Sequence, residues 1–107
     1  WLILDAVRHI GGPVEFNQKE ASDWGLSVKR ASCLVRELTG CDRIYSIAFG
    51  EGAKHLHLHL IPRFEGDFAT KAWALADHYR NVCNGTSNSI DPKEVAKIVG
   101  NARNLWK

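Results

Sequence analysis

Residues 54–63 read KHLHLHLIPR, which puts three of the chain's five histidines, His55, His57 and His59, in five positions alternating with leucine. Successive side chains on a strand point to opposite faces, so the three imidazoles share one face while Leu56, Leu58 and Leu60 form the core face. At about 3.3 Å per residue the neighbouring histidines stand about 6.6 Å apart and the outer two roughly 13 Å apart, too far for one metal ion to take all three. Three readings compete. The face is a solvated polar strand that happens to use histidine. Alternatively, two rings ligate zinc at about 2.0–2.1 Å with help from other elements. In the third, one neutral imidazole attacks a phosphorus atom while its neighbours bind and polarise the phosphate chain.

The chemistry of imidazole makes the third use practicable. With an unperturbed pKa of about 6.5, much of the ring is neutral and nucleophilic near neutral pH without a helping base. One ring nitrogen must then donate to a carbonyl or carboxylate, which fixes the tautomer and leaves the other nitrogen free to attack. Flanking imidazoles can donate to phosphoryl oxygens and protonate a leaving oxygen. No companion motif supplies further metal ligands, so neither a metal nor a cofactor is expected.

Other elements must carry this strand. The run WLILDAV ahead of Arg8, His9 and the breaker Gly11-Gly12-Pro13 reads as a first strand. Asn17 three residues before Glu20 forms a capping-box signal. Trp24, Val28, Ala31, Val35 and Leu38 then make an apolar stripe, so a helix spans about 19–39 and stops at Gly40. RIYSIAFG and KHLHLHLI are two strands joined as a hairpin through GEG, and Pro62, which lacks a donor, ends the second or leaves its last residue on an edge. Two helices follow, over about 70–83 and 92–106. The second starts on Asp91, Pro92 and Glu94 and carries a stripe of Val95, Ile98, Val99, Ala102 and Trp106.

Composition sets the frame. The 107 residues, 45% of them apolar, suit one domain with a modest core. Net charge is +2 with no polybasic tract, so no non-specific nucleic-acid or membrane binding is indicated and any anion recognition is local. No apolar run reaches the roughly 18 residues of a membrane span and no signal peptide is recognised, which places the chain in the cytoplasm. Cys33, Cys41 and Cys83 lack CxxC spacing and read as buried free thiols.

HLHLHLI is similar to the His-apolar alternation that names the histidine triad (HIT) superfamily of nucleotide hydrolases and transferases, here of bacterial type. Pro62 and Arg63 after it, RIYSIAFGE before it and the preceding helix also resemble the family, so the likeness covers residues 1 to about 65. It implies an α+β fold, an antiparallel sheet with a long helix packed on it and C-terminal helices. It also implies a single domain over 1–107 that lacks the N-terminal part of the family fold, and a homodimer. By the resemblance His57 is the nucleophile at the α-phosphorus of a dinucleoside polyphosphate or nucleoside phosphoramidate, and His55 and His59 contact the α-phosphate and the leaving oxygen. Water then hydrolyses the nucleotidyl-histidine.

Several positions depart from the family's better known branches. Trp1 stands where a fourth histidine is usual, and His9, eight residues later, matches a non-catalytic position and reads as structural or supporting. Ala48 and Phe49 replace a common Asn or Gln, and Gly52 replaces a common Ser or Thr. Lys54, Arg63 and the backbone at Gly52 are the candidates to bind substrate in their place. His78 is expected on the surface. With this thinned polar support, the alternative is a nucleotide-binding protein with little or no catalysis.

Overall fold

A computed structural model describes residues 1–106. In chain order it contains β1 (Leu2–Asp5), α1 (Gln18–Thr39), β2 (Arg43–Ile47), β3 (His57–Arg63), α2 (Ala72–Cys83) and α3 (Pro92–Leu105), with single 3₁₀ turns at Pro13–Glu15 and Phe68–Thr70. The three strands form one antiparallel sheet in the order β1-β3-β2, so the histidine strand is central and the fold class is α+β, as expected. The chain divides into two compact units, Trp1–Pro62 and the remainder from Arg63.

In the first unit α1 begins where the sequence predicts. Asn17 accepts from the Glu20 amide and the Glu20 carboxylate accepts from the Asn17 amide, the two reciprocal bonds of a capping box. Gly40 ends the helix at φ 68°, a left-handed conformation that glycine adopts without Cβ strain, and its N–H closes on Arg36 O. The expected stripe faces inward. Ala31, Leu34 and Val35 are buried, Trp24, Val28 and Leu38 half-buried, and the helix packs against β1 and β2. Leu56, Leu60 and Ile61 complete the core with Ile10 and Cys41. Cys33, Cys41 and Cys83 are all free thiols, but only Cys41 is buried, which corrects the expectation for the other two.

β1 and β3 pair antiparallel with Leu2 opposite Leu60, Ile3 opposite His59, Leu4 opposite Leu58 and Asp5 opposite His57. β1 and β2 are shorter than read, ending at Asp5 and Ile47, and both ends of β3 differ from the sequence reading. β3 starts at His57, not Lys54, because the ladder is broken by a side chain. The regular register would give Ala6 O the Leu56 amide, but the His55 ring takes that carbonyl and the Leu56 amide turns to Ile10 O at 2.7 Å. Nor does Pro62 end the strand, which runs on to Arg63. The last paired position on the β1 side is Leu60 with Leu2, so the donor that proline lacks is not missed by β1.

In the second unit α2 and α3 match the two expected helices. Asp91 caps α3 by accepting from the Lys93 amide, and Pro92 occupies its first turn. None of the α3 residues is buried, and Val95, Ile98 and Val99 of its stripe are exposed. No helix among the described residues is long and apolar enough to cross a membrane.

Candidate active site on the histidine strand

The register puts His57 and His59 on the sheet face they share with Asp5 and Ile3, both exposed, while Leu58 and Leu60 turn to the α1 side. The three triad histidines are half-buried. Each ring has a distinct set of partners, and the partners settle which nitrogen carries the proton.

His57 lies with Nδ1 2.8 Å from the backbone oxygen of His55. A carbonyl can only accept, so Nδ1–H donates, and in the neutral ring Nε2 carries the lone pair. The strand's own backbone thus fixes the tautomer of the middle imidazole, with the lone pair on Nε2. His59 packs edge-on against it, with ring centroids 5.2 Å apart and planes at 77°.

His59 is oriented from the opposite side. Trp1 Nε1–H donates to His59 Nδ1 at 3.2 Å, with the two rings edge to face at 5.9 Å. An indole nitrogen is only a donor, so Nδ1 is an acceptor and the proton of neutral His59 is on Nε2. Partial burial holds the His59 pKa below its ordinary value, a positive charge on His57 would lower it further, and Asp5 pulls the other way.

His55 is engaged at both nitrogens. Nε2–H donates to Ala6 O at 2.7 Å, which leaves Nδ1 as the acceptor of a 2.9 Å bond from His9 Nδ1–H. The two rings stack at 5.1 Å with 23° between planes. The structure therefore gives the His55 ring a supporting contact set, and its direct contribution to the middle histidine is its carbonyl. His9 was legible only as structural or supporting, because its partner depends on where the chain turns after β1. A histidine just beyond the strand that pairs with the triad strand is the signal that points to it.

The expected substrate-binding residues lie apart from these rings. Gly52 and Lys54 sit in the exposed connection between β2 and β3, and a Cβ at Gly52 would meet open space, so nothing crowds its backbone. Ala48 and Phe49 are exposed in the same connection. Arg63, expected as a substrate contact, is engaged by its own chain. It is 3% exposed, and its guanidinium is taken up by Phe64 O, by Asp67 O at 3.0 Å and by Thr70 Oγ1 at 2.9 Å, all within the second unit. This is a clip for the turn after β3. His78 is exposed, as expected. Trp24 packs on Phe16, 5.7 Å between centroids, on the side of α1 near the Arg8–Glu20 ion pair. Among the described residues no three His, Cys, Asp or Glu side chains converge as a metal site.

No family model matches this sequence, and no curated protein matches it significantly. Its structure does resemble a solved one. The crystal structure of a histidine triad protein from Bradyrhizobium japonicum superposes with a TM-score of 0.71 over 95% of this chain and 72% of the other, at 20% sequence identity. The chain has the histidine triad fold. In that fold His57 and His59 fall on the central strand with His55 just ahead of it, and the likeness extends past residue 65, where the sequence resemblance fades, into the helices that follow.

Proposed function

We propose that this HIT-fold protein is a nucleotide hydrolase or nucleotidyl transferase acting at the α-phosphate, with His57 as the covalent nucleophile. The observation that carries the reading is the His57 Nδ1–H bond to the His55 carbonyl, which leaves Nε2 as a lone-pair nitrogen on an accessible strand face. In the first step Nε2 forms a bond to the α-phosphorus and the bond from phosphorus to the leaving group breaks, its electron pair departing with that group. In the second, water adds to the phosphorus and loses a proton, and the P–N bond breaks with its pair returning to Nε2. In this reading His59 donates through Nε2–H to the departing atom, a role supported by the Trp1 bond that leaves the proton of its neutral ring on Nε2, and His55 and His9 hold the strand entrance in register.

The test replaces His57 by Asn, which removes the nucleophilic nitrogen and keeps a polar side chain of similar reach. Turnover of adenosine 5′-conjugates should fall to background while circular dichroism and the unfolding midpoint stay near those of the parent. A ³²P-labelled nucleotide should be trapped on the parent after acid quench and not on the variant. Near-normal single-turnover activity in the variant would rule His57 out as nucleophile. The second reading, a nucleotide-binding protein with little chemistry, is favoured by Ala48, Phe49 and Gly52, three positions of the connection ahead of the triad that carry no polar side chain. Micromolar AMP binding without hydrolysis of any conjugate would select it.

A further inference from the structure

We propose that Trp1, by donating its indole N–H to His59, keeps His59 a neutral hydrogen-bond donor rather than an acid, so that the site takes nucleotide conjugates with oxyanion leaving groups and discriminates against amine leaving groups. This rests on the catalytic reading above and separates the two substrate classes that reading leaves together.

The argument follows the proton. His59 Nδ1 receives Trp1 Nε1–H at 3.2 Å, so the ring's one proton in its neutral form is on Nε2. To become an imidazolium, and so an acid, His59 must protonate Nδ1. Two donors cannot share that position, and the indole would have to be displaced from its acceptor. The groups that face His59 divide over the same choice. His57 on β3 opposes a positive charge, Asp5 on β1 favours one, and partial burial opposes it, with the net pKa below the ordinary histidine value.

The consequence differs with the bond that breaks. In a phosphoric anhydride, His57 Nε2 bonds to phosphorus, the P–O bond breaks and the pair stays on an oxygen of the departing phosphate. That oxyanion is stable at neutral pH, so a hydrogen bond from His59 Nε2–H is sufficient. In a phosphoramidate the P–N bond breaks and the pair stays on nitrogen, which must take up a proton to leave as an amine. A neutral imidazole can supply that proton only by becoming an imidazolate, which is too basic to form here. General acid catalysis contributes roughly 10²–10⁴-fold where it operates, and that contribution is what the amine substrate loses.

The experiment compares kcat/KM for diadenosine tetraphosphate and adenosine 5′-phosphoramidate in the parent and in Trp1→Phe, which keeps an aromatic edge but removes the N–H. The parent should prefer the anhydride by about 10²-fold or more, and the variant should narrow that ratio by at least about tenfold as His59 regains access to its cationic form. The ratio cancels general damage to the fold, which would slow both substrates alike. Independently of turnover, ¹⁵N-edited spectra of the imidazoles should show His59 protonated on Nε2 in the parent and an upward shift of its pKa in Trp1→Phe. An amine preference in the parent, an unchanged ratio in the variant, or a proton on His59 Nδ1 overturns the inference. No turnover of either conjugate, with the spectra as expected, sinks the catalytic reading and the substrate preference with it while leaving the tautomer assignment standing.

Discussion

The imidazole of His55 donates to Ala6 O and accepts from His9, while its carbonyl 2.8 Å from His57 Nδ1 is what orients the middle ring. Ring and carbonyl can therefore be separated by mutation. In His55→Gln the backbone oxygen remains, so His57 keeps its tautomer and the loss in kcat/KM should stay within about 10²-fold, the size of a positioning defect. His57→Asn should cost far more. Equal losses in the two variants would show that the His55 ring takes part in the chemistry directly. The alternation of His and Leu made the shared face of His57 and His59 legible from the sequence, since a strand's period of two is a local property. What was not legible is that the His55 ring is spent on the chain after β1. That depends on the register Asp5 to His57 and on the departure from it at the next pair, Ala6 and Leu56, both of which are set by tertiary pairing.

At the scale of elements, α1 was readable nearly to the residue because both its ends are written in local chemistry. Asn17 and Glu20 supply the amides of the first turn with acceptors, and Gly40 supplies the left-handed stop. Arg8, on the chain leaving β1, adds a tertiary bond to the same carboxylate, with Nε and Nη2 at 3.1 and 2.9 Å from its two oxygens. These bonds hold the Glu20 pKa below the ordinary carboxylate range, the Arg8 bond contributing most and the Asn17 amide next. Asn17→Ala should lower the unfolding free energy by about 1 kcal/mol in urea titrations, the usual cost of losing an N-cap. An unchanged midpoint would mean that the helix start is held by packing alone. β3 was less legible than α1 because its ends are decided by partners. Its start depends on which donor reaches Ala6 O, and its continuation through Pro62 depends on where β1 stops.

At the scale of the whole molecule, the HIT fold was legible through a resemblance confined to residues 1 to about 65, and the helices beyond it had to be read from caps alone. Asp91 and Pro92 located the start of α3, but caps say nothing about what a helix packs on, and its stripe of Val95, Ile98 and Val99 is exposed. Folding as a whole also carries the titration of the site. The His59 pKa is depressed in the folded chain, by burial first and by His57 second, with Asp5 opposing. The unfolded chain then binds more protons than the native one just below the unperturbed value of about 6.5, and stability rises with pH in that window. This contribution is intact above about pH 6.5 and is lost as the pH falls from there through the lower folded-state pKa. Urea unfolding of the parent should therefore show a declining midpoint as the pH drops from about 7 toward 5, a range that lies above the usual carboxylate values and so precedes the loss from Glu20. His59→Gln removes the titrating ring and should flatten that decline while leaving the loss at lower pH. A variant whose midpoint fell with the same slope as the parent would place the linkage on another group and remove the depressed His59 pKa from the account of this face.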